Sequence, residues 1–131
     1  MARTNIPLTV ITPNAGQAFP AGTAVDPTNG HYIDCGGLSG QLLLWVNNTF
    51  AGTKTVTVKA GANPPAMRKD IGDFVYTALA SSATLLGNLE SGRFIQAPGG
   101  TDGGTGGRVF VDLAAAMTGT IAALFIPTRY A

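Results

Sequence analysis

Charge is scarce in this chain. Asp, Glu, Lys and Arg make up 11% of its 131 residues, where about 25% is usual for a soluble protein. Eight Lys and Arg stand against seven Asp and Glu, and Glu90 is the sole glutamate. A net charge of +1 gives copies of the chain little reason to repel one another. So much uncharged surface favours association, and part of it is expected to be covered by other protein. Nucleic-acid binders carry a basic excess, because counterion release drives their affinity. Here the basic residues are scattered, and the one adjacent pair, Arg68 and Lys69, is followed by Asp70. Direct nucleic-acid binding is not expected.

Cysteine and histidine are scarcer still, with one of each, Cys35 and His31. A lone cysteine forms no internal disulfide, which suits a reducing compartment. A structural zinc site needs about four Cys or His ligands, so zinc is excluded. Calcium needs clustered oxygens. Asp70 and Asp73 lie three apart beside Gly72, and Asp102 sits in a Gly-rich loop, and neither has the ligand density of a dedicated site. No metal or cofactor is expected. Long apolar runs are lacking as well. Leu42 to Val46 and Ile121 to Ile126 fall far short of the roughly 20 residues that span a bilayer. No apolar stretch follows Arg3 as a secretory signal would require, so neither membrane insertion nor classical export is expected. Without export, the glycosylation sequon at Asn47-Asn48-Thr49 carries little meaning.

Glycine and proline are plentiful, 18 and 8, and they cut the chain into short segments. Those segments read as strands: Ile6–Thr12, His31–Asp34, Gln41–Asn47, Thr53–Lys59, Asp73–Leu79, Ala83–Leu89, Arg93–Ala97, Arg108–Leu113 and Thr118–Ile126. Gln41–Asn47 is almost wholly apolar, as expected of a strand buried on both faces. Thr53–Lys59 alternates strictly, with Val56 and Val58 on one face. The two are expected to form a hairpin through Asn47 to Gly52. Arg108–Leu113 is expected to pair with Thr118–Ile126 through Ala114–Met117. Ala66–Ile71 is long enough for one helical turn. Eight or nine short strands without an amphipathic helix predict an all-β single domain, a β-sandwich or jelly roll. Residues 8–131 would form it, with residues 1–7 as an extended arm.

Catalytic chemistry has little to work with. His31 and Cys35 would share a face of a strand, but a half-exposed histidine and a packed thiol account for them better than a nucleophile and its base. The Gly-rich stretch from Gly99 to Gly107 leads into a β pattern and lacks the Lys-Ser or Lys-Thr of a phosphate loop, so it reads as a loop tip. Trp45, Phe74, Tyr76, Phe94, Phe110 and Phe125 fall within strands and are expected in the core. Tyr32 and Tyr130 suit an interface better. The chain is not expected to be an enzyme.

Three stretches carry a family likeness. The first is Arg3-Thr4-Asn5-Ile6-Pro7-Leu8-Thr9 together with Asp26-Pro27-Thr28-Asn29-Gly30-His31. The second runs from Val56 to Ala66 and on to Gly72-Asp73. The third is Glu90-Ser91-Gly92-Arg93-Phe94, then Val111-Asp112, Thr118-Gly119-Thr120-Ile121 and the closing Pro127-Thr128-Arg129. In these the chain resembles head decoration (capsid cement) proteins of tailed bacteriophages, of the actinobacteriophage type. The Gly-Thr insert at Gly99 to Gly107 departs from the tighter Asp-Gly turn expected there.

The resemblance implies a virion protein on the outer capsid surface, made in the host cytoplasm. It would be a homotrimer at three-fold or quasi-three-fold positions, tying neighbouring copies of the major capsid protein together. Expected capsid contacts are Ala2, Arg3, Thr4, Asn5 and Ile6 in the arm, and Pro64, Pro65, Met67, Arg68 and Lys69 in the following loop. Glu90 and Arg93, three apart around a turn, are candidates for a subunit seam, with a surface ion pair inside one chain as the plainer reading. Other readings are a tail, fibre or head–tail connector module and, further off, a carbohydrate-binding module.

Overall fold

The computed structural model describes residues 2–61, 70–87, 89–97 and 106–127. Among these residues ten strands form two sheets: β1 (Thr4–Asn5), β2 (Leu8–Val10), β3 (Thr23–Ala24), β4 (His31–Asp34), β5 (Leu42–Asn48), β6 (Lys54–Val58), β7 (Phe74–Ala78), β8 (Ser82–Gly87), β9 (Arg108–Leu113) and β10 (Gly119–Phe125). The first sheet runs β1-β4-β9-β6-β7. The second runs β2-β10-β5-β8, and β3 also pairs with β10. With β3 taken as the outer strand of the second sheet, the order is that of a jelly roll: β3-β10-β5-β8 faces β4-β9-β6-β7. The expected all-β sandwich is therefore present, and every link except β2–β3 and β6–β7 crosses from one sheet to the other.

Alternation builds the core. Leu42, Leu44 and Val46 of β5 point inward and are fully buried, as are Val56 and Val58 of β6, Val109 and Val111 of β9, and Ile121 and Ala123 of β10. The outward residues of β5, Leu43, Trp45 and Asn47, are half-buried rather than exposed. Part of their cover is Phe19, whose ring meets Trp45 edge to face at 5.0 Å. Gln41–Asn47 thus has one core face and one partly covered face, not two buried ones. Of the aromatics expected in the core, Phe94 is buried. Phe110 is buried too, but from the outer face, while Trp45, Phe74, Tyr76 and Phe125 stay half-buried.

Both expected hairpins are corrected. β5 pairs with β8 and β10, whereas β6 pairs with β7 and β9. The stretch between β5 and β6 is a corner from one sheet to the other, and Asn48 shows why. Its side chain is fully buried, and its amide donates to the carbonyls of Gly52, Ala78 and Leu79 at 3.2, 3.4 and 2.9 Å. Its Oδ1 accepts the Phe50 N–H at 3.1 Å. A buried amide satisfied by carbonyls at the end of β7 and in the corner itself fixes the chain in that bend. Likewise β9 and β10 lie in opposite sheets, joined through Ala116 in a left-handed conformation (φ 63°) and the buried Met117. At the next position but one, Gly119 has φ 135°, and a side chain there would run into the Asn47 carbonyl, which only glycine avoids.

Arg93–Ala97 is also corrected. Ser91–Phe94 is one helical turn, its Arg93 and Phe94 N–H groups both donating to the Glu90 carbonyl, and strand pairing is confined to a bridge between Gln96 and Arg108. The expected turn over Ala66–Ile71 falls mostly outside the described residues.

Replacing Asn48 with Ala removes the amide donor shared by the Gly52, Ala78 and Leu79 carbonyls and the acceptor of the Phe50 N–H. The expected loss is about 2–3 kcal/mol of stability, read as a lower midpoint in chemical denaturation with an unchanged slope.

Candidate docking faces and the fastened N-terminus

The segment expected to extend as an arm lies along the sandwich instead. β1 pairs in parallel with β4, and β2 in parallel with β10, so residues 4–10 cover one edge of each sheet. Between them Ile6 enters the core and is 1% exposed. A buried isoleucine is a strong anchor, worth about 1.5–3 kcal/mol when withdrawn from water. Of the expected arm contacts, Ala2 and Asn5 are exposed, Arg3 and Thr4 are half-buried, and Ile6 is inaccessible to a partner in this state. Pro64, Pro65, Met67, Arg68 and Lys69 lie outside the described residues.

His31 fastens this segment. It is fully buried rather than half-exposed. Its Nε2 accepts the Asp26 backbone N–H at 3.0 Å, so the ring proton sits on Nδ1, which donates to the Thr4 carbonyl at 3.2 Å. Thr4 also donates its hydroxyl to Asp26 Oδ2 at 2.8 Å, and its N–H bonds the Gly30 carbonyl. The Asp26 carboxylate further accepts from the Thr28 and Asn29 backbone and the Asn29 side chain. The backbone and side chain of Asn29, and then the Thr4 hydroxyl, bring the Asp26 carboxyl down to about 2. Burial pushes the His31 imidazole below its ordinary value. Both ring nitrogens are thus committed to the fastening, and neither serves Cys35, whose thiol donates to the Gly107 carbonyl at 3.4 Å. Burial holds that thiol in its protonated form.

Glu90 and Arg93 border one cleft of about 380 Å³ between the ends of the sheets, beside Phe74, Leu85 and Phe94. The Arg93 guanidinium donates to the carbonyls of Gly72 and Asp73 and lies over Phe94, which ties the helical turn to the start of β7. Next to it, burial alone would raise the Asp73 carboxyl, but the Ala60 N–H and the Lys59 ammonium outweigh burial and lower it.

The two outer faces differ in charge. The first sheet carries Arg108 opposite Asp34, and Asp112 bonded to Arg3. The strands of the second sheet contain no Asp, Glu, Lys or Arg at all. Their outward positions are Leu43, Trp45 and Asn47 on β5, Ala83, Leu85 and Gly87 on β8, and Thr120, Ala122 and Leu124 on β10. Leu85 is 53% exposed and Phe19, draped over Trp45, is 58% exposed. The sequence did hold a signal for this face. Residues 4–25, 35–53, 74–89 and 113–128 are four runs without a charged residue. Only the topology shows that the runs supply every strand of one layer.

Among the described residues no three of His, Cys, Asp or Glu come together, and no helix is long and apolar enough to cross a membrane. Set against family models, curated proteins and solved structures, the chain matches none.

His31 takes up a proton less readily folded than unfolded, so the unfolded chain binds more protons below the ordinary histidine value of about 6.5. Stability is expected to fall as pH drops below that value, and again below about 4 as Asp26 and Asp73 lose their ionised partnerships. Thermal unfolding midpoints between pH 8 and pH 3 check this. His31→Gln, whose amide can accept and donate in the same places, is expected to flatten the curve between pH 7 and pH 5.

Proposed function

We propose that this protein acts by binding rather than by catalysis, as a structural module of a virion. In this reading it docks on the outer surface of an expanded phage capsid and cements neighbouring major capsid subunits. The observation that carries the reading is the separation of charge between the two sheets. A layer whose strands carry no charged residue, with Leu85 and Phe19 exposed and Trp45 half-covered beside the buried Ala122 and Leu124, is poorly suited to lie against water. It is well suited to lie against protein, since no ion has to be desolvated when it is covered.

The resemblance to head decoration proteins supplies the partner. A capsid offers the same site many times over, so modest contacts gain by avidity when copies assemble, as a homotrimer at three-fold or quasi-three-fold positions would. A protein that binds the expanded shell alone stabilises that form by mass action. With Ile6 seated in the core, the sheet face is the better candidate for the principal contact, because the exposed Ala2 and Asn5 lie with the first sheet instead.

Purified protein mixed with expanded heads that lack it is expected to co-sediment, saturating at hundreds of copies per particle and raising the melting temperature of the shell. Leu85→Asp places a charge on the uncharged face at an exposed position. It is expected to weaken binding at least ten-fold while leaving the isolated fold intact. Absence of co-sedimentation with intact heads would overturn the cement reading and favour a tail or fibre module.

A further inference from the structure

The outer face of the first sheet holds a second feature, unconnected with the uncharged layer. Tyr32 of β4 and Phe110 of β9 are direct cross-strand partners, so their side chains stand next to each other on that face. A guanidinium lies over each ring: Arg108 over Tyr32 at 4.2 Å and Arg3 over Phe110 at 4.4 Å. Stacking on an aromatic ring fixes a guanidinium in one plane and leaves its N–H edges for planar acceptors. A pocket of about 260 Å³ lies here, lined by Ala2, Arg3, Tyr32, Arg108 and Phe110.

The two arginines are not equally satisfied. Arg3 donates to Asp112 Oδ1 at 2.5 Å. Among the described residues, the buried Nε of Arg108 has no hydrogen-bond partner. Its cross-strand neighbour Asp34 brings Oδ2 only to 4.0 Å of that nitrogen, beyond hydrogen-bond reach. A buried donor without an acceptor is costly, more so when it belongs to a charged group.

We propose that this pocket is a carboxylate-binding site that takes an acidic side chain of a protein partner. The chemistry selects that occupant. The pocket is smaller than the roughly 300–1,000 Å³ of small-molecule and cofactor sites, which suits one side chain and not a nucleotide. A planar carboxylate matches the edge of a guanidinium with two parallel hydrogen bonds. The carboxylates of Asp34 and Asp112 flank the site, so a dianionic phosphate meets more repulsion there than a singly charged carboxylate does. The inference does not rest on the capsid reading, because it concerns the opposite face and any partner with a protruding Asp or Glu.

The test uses the Nε–H NMR signal of Arg108 in the ¹⁵N-labelled full chain at pH 7. Three probes are titrated at matched ionic strength with sodium chloride as reference: sodium acetate, sodium phosphate, and a capped Gly-Glu-Gly peptide beside its Gly-Gln-Gly counterpart. The expected result is a saturable shift with acetate and with the Glu peptide, none with chloride or the Gln peptide, and weaker binding of phosphate. Arg3→Gln keeps the reporter and removes one wall of the pocket, and is expected to weaken acetate binding at least ten-fold. No saturable shift with acetate or the Glu peptide would overturn the site. An unchanged response in Arg3→Gln would overturn the two-arginine frame. Phosphate binding as tight as acetate would overturn the acidic side chain as occupant.

Discussion

Leu42–Asn48 and Gly119–Phe125 pair along their whole length, from Gly119 opposite Asn48 to Phe125 opposite Leu42. They are the two longest strands and the centre of the second sheet, and their inward residues meet those of β4, β6 and β9 across one interior. The other elements are placed relative to this pair. β8 adds to the free side of β5, β2 and β3 share the free side of β10, and Asn48 and Gly119 at its end turn the chain towards the first sheet. Because nearly every link changes sheet, the core is assembled almost wholly from residues distant in sequence. That topology forms slowly and leaves little that is stable on its own.

The same arrangement explains how charge is distributed. A strand at the centre of an antiparallel sheet has one face in the core and one face outward. In the first sheet the outward positions hold opposite charges in register, Asp34 beside Arg108, with Asp112 held by Arg3. In the second sheet they hold leucine, tryptophan, alanine, threonine, asparagine and glycine, none of them charged. Both sheets satisfy the interior equally, so folding alone does not require the difference. It is an asymmetry of the surface, which the proposed docking role would account for.

The strands were readable because alternation depends only on neighbouring residues. Val56 and Val58, or Val109 and Val111, declare an inward face wherever the strand ends up. Pairing was not readable, because an apolar strand, a short polar turn and an alternating strand describe a hairpin and a corner between sheets equally well. Asn48 decides between them, and nothing in its local sequence shows that its amide is buried among the carbonyls of Gly52, Ala78 and Leu79. The placement of the N-terminal segment is hidden in the sequence for a related reason. Ile6 looked like the first residue of one strand, whereas it is an anchor between two short strands on different sheets. His31 looked ordinary because its partners, Thr4 and the Asp26 backbone, come together only when that segment is in place. Of the expected contact residues, the structure leaves Ala2 and Asn5 open to a partner, and the uncharged sheet supplies a face that residue-by-residue reading did not identify.

The central claim is that the uncharged sheet is the face the protein turns towards its partner. Covalent surface labelling, read by mass spectrometry on the free protein and on protein bound to heads, measures this directly. The account predicts that Phe19, Trp45 and Leu85 label in the free protein and become protected on the particle, while Lys54 of the first sheet and Lys59, which follows β6, change little. Protection of the lysines with undiminished labelling of Phe19, Trp45 and Leu85 would contradict it.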